Sequence, residues 1–400
     1  MKRSTHDRSA RGALAVAGAL AAAPAGVAQA ADWYWSPTVS VGGEYNDNPS
    51  LSSRTDNTNS VTGALAEASL RLGYLAETSS GWIEPRLRTR RYADEEALDS
   101  DDQFLDFRAD GEGQFTRWGI RGDLAREQVR TAELDEVNLD PDAPDIPSDD
   151  AGFVEIRARR ERARLFPFVE WTLSPVSSLR ARANLIDTSY DEDTGSLQDF
   201  TNINGELTYR RAASDVTDWL VLGAAGDYSS DREGRDYNAY SGRVGFEREL
   251  SQTTRLRALA GVANSSPDQG SSQTDGVGEI FLTRRLETTW LRAGYRRSLT
   301  GSGLGAAIRD EVQVGFTRDL TQLISAGLGF RAYSSSALTD DSSDRDYAQV
   351  RAEFTWRLSQ SWFFNADYRF TFLDRQDDPE TADANQLFLF LSWSPPKPTR

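Results

Sequence analysis

A chain of 400 residues with 62 acidic and 45 basic side chains carries a formal charge of −17, which argues against nucleic acid as a partner because phosphates need a positive footprint. Cysteine is absent, so disulfides and thiolate chemistry are excluded, and the single histidine, His6, stands near the N-terminus. The 38% hydrophobic share never gathers into the roughly 18-residue run of a membrane helix, which leaves a large soluble β-protein or a barrel with alternating apolar residues.

The first thirty residues have the pattern of a secretory signal peptide. Lys2, Arg3, Arg8 and Arg11 form a basic start, an apolar run follows over 13–23, and Ala28-Gln29-Ala30 supplies a small-x-small cleavage pattern. The expected division is a signal peptide over 1–30 and a single domain over 31–400. Without the leader the formal charge is about −20 and no histidine remains for a triad, a zinc site or a proton shuttle.

From Thr38 onward about ten residues of alternation, a short turn, a second alternating stretch and a longer polar loop recur. Leu179, Ala181, Ala183 and Leu185 alternate with Arg180, Arg182 and Asn184. Ala348, Val350, Ala352, Phe354 and Trp356 alternate with Gln349, Arg351, Glu353 and Thr355, and residues 362–371 behave alike. A period of two places one set on each face of a sheet. Charge is frequent on one face only, so that face is wet.

About eighteen such stretches run from 38–45 to 384–394. Short connectors are expected near 79–81, 116–117, 174–177, 251–253, 285–288, 319–322 and 358–360, with a longer one over 211–217. Polar loops such as 46–60, 93–102, 131–151 and 334–344 alternate with them. Eight turns and nine loops fit an even-stranded, antiparallel up-and-down transmembrane barrel with both ends in the periplasm.

Tryptophan placement favours the membrane barrel over a sandwich. Trp33 and Trp35 are expected just before the first strand. Trp82, Trp118, Trp171, Trp219, Trp290, Trp356 and Trp362 flank short turns, and Trp393 closes the last strand. Tyr45, Tyr92, Tyr190, Tyr228, Tyr333 and Tyr347 gather at the opposite ends, so the two sets form interfacial girdles. Trp219 and Trp290 fall out of phase with the apolar faces of their strands.

Glu44-Tyr45-Asn46-Asp47-Asn48, on leaving the first strand, resembles the "YNDN" opening of the β-barrel porin 2 type outer-membrane proteins. The hairpin rhythm over 166–190, with its Leu-Ser-Pro turn, and the alternating strand with a Pro-Pro tail over 385–396 are similar to that family too. The resemblance covers most of the mature chain on short motifs. It implies a link to exopolysaccharide systems, with polysaccharide export components as partners. One departure stands out: Trp393 is followed by 394–400, where insertion signals usually end on a terminal aromatic. Leu387, Leu389, Leu391 and Trp393 then serve as the signal for the barrel assembly machinery.

The expected lumen face carries Arg71, Arg86, Arg88, Arg108, Arg121, Arg180, Arg182, Arg255, Arg257, Arg292, Arg351 and Arg369. Asp106, Asp110, Glu112, Asp123, Glu206, Glu311, Glu353 and Asp367 share that face. Guanidinium forks bind carboxylates bidentately, so Arg180, Arg182, Arg255, Arg257, Arg292, Arg351 and Arg369 are candidate contacts for an anionic glycan or small organic acid. The alternative is that these arginines pair with the acids across strands and stiffen the wall. Lys397 is the only lysine beyond the leader, so the arginine preference also fits a genomic bias.

Acidic loops over 94–102 and 133–150 are expected to be solvated, with divalent cations bridging lipopolysaccharide as the alternative. Residues 191–195 lack the later bidentate glutamate of a calcium loop. Gly301, Gly303 and Gly305 form a flexible loop, since no Lys-Ser/Thr follows to make a phosphate cradle. No catalytic set, metal or cofactor is expected. The expectation is thus a non-enzymatic outer-membrane channel, porin-like or in exopolysaccharide export, facing lipid and lipopolysaccharide. The alternative is a non-conducting barrel that anchors a surface or secretion complex.

Overall fold

The computed structural model describes residues 31–396 except 54–58, 94, 130–157, 192–196, 233–234, 269–270, 303–304, 339–343 and 376–379. The expected signal peptide, Gly303 and the whole of the second acidic loop lie outside the described residues. Eighteen strands follow one another: β1 (Asp32–Asn46), β2 (Val61–Leu75), β3 (Ser79–Tyr92), β4 (Ser100–Glu112), β5 (Thr116–Gln128) and β6 (Arg159–Ser174). Then come β7 (Ser177–Tyr190), β8 (Phe200–Ser214), β9 (Thr217–Ser230), β10 (Tyr237–Ser251), β11 (Thr254–Pro267) and β12 (Gln273–Arg285). The last are β13 (Thr289–Ser302), β14 (Gly305–Asp319), β15 (Ile324–Ala337), β16 (Arg345–Arg357), β17 (Trp362–Arg375) and β18 (Ala382–Trp393).

Each strand pairs antiparallel with its neighbours in the chain, and β18 returns to β1, with Val39 opposite Trp393 and Asn46 opposite Gln386. The sheet is therefore a closed up-and-down barrel in which every strand has a partner on both sides. About 9–11 tilted residues cross the hydrocarbon, so strands of 12 to 16 residues stand proud of it. β1 begins six residues before the expected start, which brings Trp33 and Trp35 inside the strand.

The turns at one rim have a shared local chemistry. The hydroxyls of Ser174, Ser214, Ser251, Thr321 and Ser359 each accept the backbone N–H two residues on, at 3.1 to 3.4 Å. This side-chain mimic of a backbone turn holds the chain in its reversal. The opposite rim carries nine connections, of which that between β13 and β14 is only two residues long.

Alternation sorts the side chains as the sequence implies. Val39, Val41, Val244, Val262, Leu328 and Leu389 are exposed on the outside. Trp33, Trp35, Trp118, Trp171, Trp219, Trp356, Trp362 and Trp393 share that outer face near the turn rim. Strand β9 inverts the expected pattern: Trp219 and Val221 face out, while Leu220 and Leu222 pack inward with Leu259. Trp290 does point inward, at 8% exposure, and Trp82 also turns inward, beneath the Arg71 guanidinium.

The tyrosine girdle is corrected. Of those six tyrosines only Tyr45 faces out, at 46% exposure. Tyr92 donates to the inward carboxylate of Glu44 at 2.9 Å, Tyr333 stacks on Tyr347, and Tyr228 stacks on Tyr237. Tyr190 packs against Val129, Ala158 and Leu197. These rings fill the outer end of the lumen, because loop side chains fold in upon them. Leu51 is fully buried against Tyr333 and Tyr347, and Leu98 packs against Val61 and Tyr92.

Candidate functional site: a charged lumen beneath a folded-in hairpin

Two features shape the lumen. The first is the tip of the β13–β14 hairpin. Pairing of β12 with β13 stops at Gly278 opposite Arg297, and β13 runs on without it to Ser302. Leu299 and Ala306 then pack against Ile186, Phe200, Tyr228 and Tyr237, which line the inside of β7, β8, β9 and β10. Strand β7 lies six places around the barrel from β13, so the hairpin reaches those residues across the interior. Gly301 makes the approach possible: a Cβ there would fall 2.5 Å from the Tyr228 ring and 2.7 Å from the Tyr237 hydroxyl. Two of the three glycines expected as a loose loop, Gly301 and Gly305, are instead paired in strands.

The second feature is a lattice of ion pairs. Glu206 on β8 accepts from Arg182 on β7 (2.7 Å) and from Arg243 on β10 (3.1 Å), across the small Ala224 of β9. Glu279 on β12 lies among Arg257 (3.0 Å), Arg296 (3.5 Å) and Arg243 (3.7 Å). The network therefore joins four guanidinium groups to two carboxylates along seven of the eighteen strands, β7 to β13. On the far wall Asp367 holds Arg369 at 2.8 Å and also binds Arg351, which reaches Glu353.

Between the hairpin tip and the network lies a cavity of about 450 Å³. Its walls include Arg108, Arg121, Arg180, Arg182, Arg243 and Arg296, the amides of Asn184, Asn202 and Asn204, and Phe166 and Phe168. Fold geometry explains the set: inward positions of β4 to β13 at one height converge there.

The seven candidate arginines are not one site. Arg180 and Arg182 line the cavity, and Arg257 joins its network through Glu279. Arg180 binds Glu170. Arg255 sits nearer the turn rim, between Glu247 (3.4 Å) and Glu249 (3.3 Å), and Arg292 lies over the Phe281 ring at 4.8 Å. Arg351 and Arg369 belong to the opposite wall. Arg243 and Arg296 were missed as site residues. Alternation on β10 gives Arg243, with Val244 and Phe246 outward; the Arg296-Arg297 doublet leaves the phase of β13 ambiguous.

Two carboxylates of the first acidic loop, Asp99 and Asp101, have partners within the chain. Asp99 accepts the backbone N–H of Tyr92 at 2.9 Å, and Asp101 binds Arg91 at 2.8 Å. Asp191 accepts the backbone N–H of Arg159 at 2.8 Å, and 192–196 lie outside the described residues. Among the described residues no group of three acidic ligands is placed to hold a metal ion.

No family model and no curated protein matches the chain. Solved structures with similar architecture include Pseudomonas aeruginosa OpdQ, at 9% identity and a TM-score of 0.47, over 91% of this chain and 98% of that one. Acinetobacter baumannii OccAB4 gives 11% and 0.44 over 92% and 99%, and the Pseudomonas aeruginosa outer membrane protein OpdK gives 11% and 0.44 over 90% and 99%. At such identities the location follows from the barrel itself. A closed eighteen-stranded sheet with Leu, Val and Trp exposed outside and arginine–carboxylate pairs inside is an outer-membrane β-barrel.

Proposed function

We propose that this barrel is a channel for small polar solutes, narrowed from the outer side by the β13–β14 tip. The observation that carries the reading is the cavity of about 450 Å³, bordered by half-exposed Arg180 and Arg182, inside a barrel of a size that side chains alone do not fill. The exopolysaccharide role implied by the family resemblance fits this lumen less well. A polymer needs an unbroken passage, whereas Leu51, Tyr333, Tyr347 and the hairpin tip pack the outer end. Lipopolysaccharide outside and the assembly machinery acting on β18 complete the proposed setting. Liposome swelling tests the reading: refolded barrel should admit monosaccharides faster than long oligosaccharides, and swelling no faster than in empty liposomes would overturn it.

A second reading, a non-conducting anchor for a larger complex, draws on the turn rim. Phe115, Val176, Val216, Leu286, Leu320 and Leu358 stand exposed at six of the turns. A folded barrel that stays silent in bilayers would favour it.

A further inference from the structure

We propose that the chamber beneath the β13–β14 tip is a binding site for a small hydroxylated oxyanion, a sugar acid or a sugar phosphate. Two independent arrangements of charge point there. Arg108 and Arg121 are register partners on the lumen face of β4 and β5, and like charges directly opposite each other destabilise a sheet. Asp110 holds Arg108 at 2.7 Å, while Asp123, two residues along from Arg121, is taken by Arg164 at 3.0 Å. Arg121, at the cavity wall, makes no direct ion pair or hydrogen bond among the described residues and is drawn to Asp123 and Asp106 only at longer range.

Across the cavity, Arg243 and Arg296 belong to the network in which four guanidinium groups share Glu206 and Glu279. Seven guanidinium groups face four carboxylates along the wall, so this half-open chamber carries surplus positive charge, whose attraction for an anion exceeds that on a flat surface. Guanidinium forks match carboxylate and phosphate oxygens alike.

The neutral part of the wall specifies the rest of the ligand. Asn184 lies directly opposite Asn204 on β7 and β8, and Asn202 is the next inward residue. Each amide donates and accepts, which suits hydroxyl groups, and apolar or bare anions would leave these groups without partners. The volume lies within the range of about 300–1,000 Å³ usual for small-molecule sites. Access to the chamber rests on the channel reading above; binding does not.

Calorimetry on the folded, detergent-solubilised barrel separates the two. The probes are glucuronate, glucose 6-phosphate, glucose and acetate. At least one hydroxylated anion is expected to bind ten times more tightly than either glucose or acetate, and the better of the two identifies carboxylate or phosphate. Arg121→Gln, with heat-modifiability retained, should weaken that binding at least tenfold. Equal binding of glucose, equal binding of acetate, or no change in Arg121→Gln overturns the site. Selective binding without liposome swelling would overturn the channel and leave the site standing; swelling without selective binding would do the reverse.

Discussion

Asp47 clasps Asn385 across the seam that closes the barrel. One carboxylate oxygen accepts the Asn385 backbone N–H at 2.7 Å and the other accepts its side-chain amide at 2.8 Å. Next to it, Asn48 donates to the carbonyls of Ser52 (2.9 Å) and Asp383 (2.8 Å), and its own oxygen accepts the Ser52 N–H. The Tyr-Asn-Asp-Asn segment is thus a latch that ties β1 to β18 and turns the first loop inward. Asp47→Ala should cost about 1.5–3 kcal/mol, the range for hydrogen bonds to a charged group. The measurement is the temperature at which the folded band converts to the unfolded one in gel electrophoresis. It should fall in Asp47→Ala and recover partly in Asp47→Asn; an unchanged midpoint would remove the latch.

The two faces of a strand should respond differently near the middle of the membrane and alike near its outer edge. Leu389→Arg puts a charge into lipid and should cost about 2–4 kcal/mol. A lumen position such as Gln349 would be tolerant in a water-filled pore, but Gln349 is 0% exposed and bonded to Thr371. Gln349→Arg should therefore cost about 1–3 kcal/mol by overpacking, whereas Arg255→Gln, at the wetter rim, should be nearly silent. Urea midpoints of the three refolded variants check the order.

Charge removal from the wall has a definite sign. Arg180, Arg182, Arg255 and Arg257 bind Glu170, Glu206, Glu247, Glu249 and Glu279. Replacing the four by glutamine leaves those carboxylates unbalanced, so the lumen potential moves negative and the channel toward cations. The reversal potential under a salt gradient should shift accordingly. No shift, in a barrel that still assembles, would make these arginines wall struts alone.

Strand number, barrel class and lumen phase were legible because each rests on a period of two repeated over many segments. Every arginine assigned to the lumen from alternation, from Arg71 to Arg369, does face inward. Long-range packing was not legible. Nothing local to Tyr92, Tyr228 or Tyr333 tells whether the ring meets lipid headgroups or a folded-in loop, and both settings suit an amphipathic ring. Leu220 and Leu222 misled for the same reason, since apolar side chains on both faces of β9 erase the phase signal. The chamber needed the hairpin tip, which depends on Gly301 meeting residues more than sixty positions away.

Displacing that tip should open the lumen. Gly301→Val places a branched side chain where the Tyr228 ring lies. Since the β-sheet below remains paired, the variant is expected to assemble and to conduct more than the parent. Restoring space with Tyr228→Ala in the Gly301→Val background should bring conductance back toward the parental value if the tip reseats. Equal conductance in all three barrels would show that the tip does not narrow the path.

The central claim is that a solute path runs through this barrel. Refolded, heat-modifiable protein added to a planar lipid bilayer tests it in one recording. Discrete current steps of uniform size, with anions and cations passing unequally, are the predicted result. Silence from protein shown by the same gel assay to be folded would contradict it.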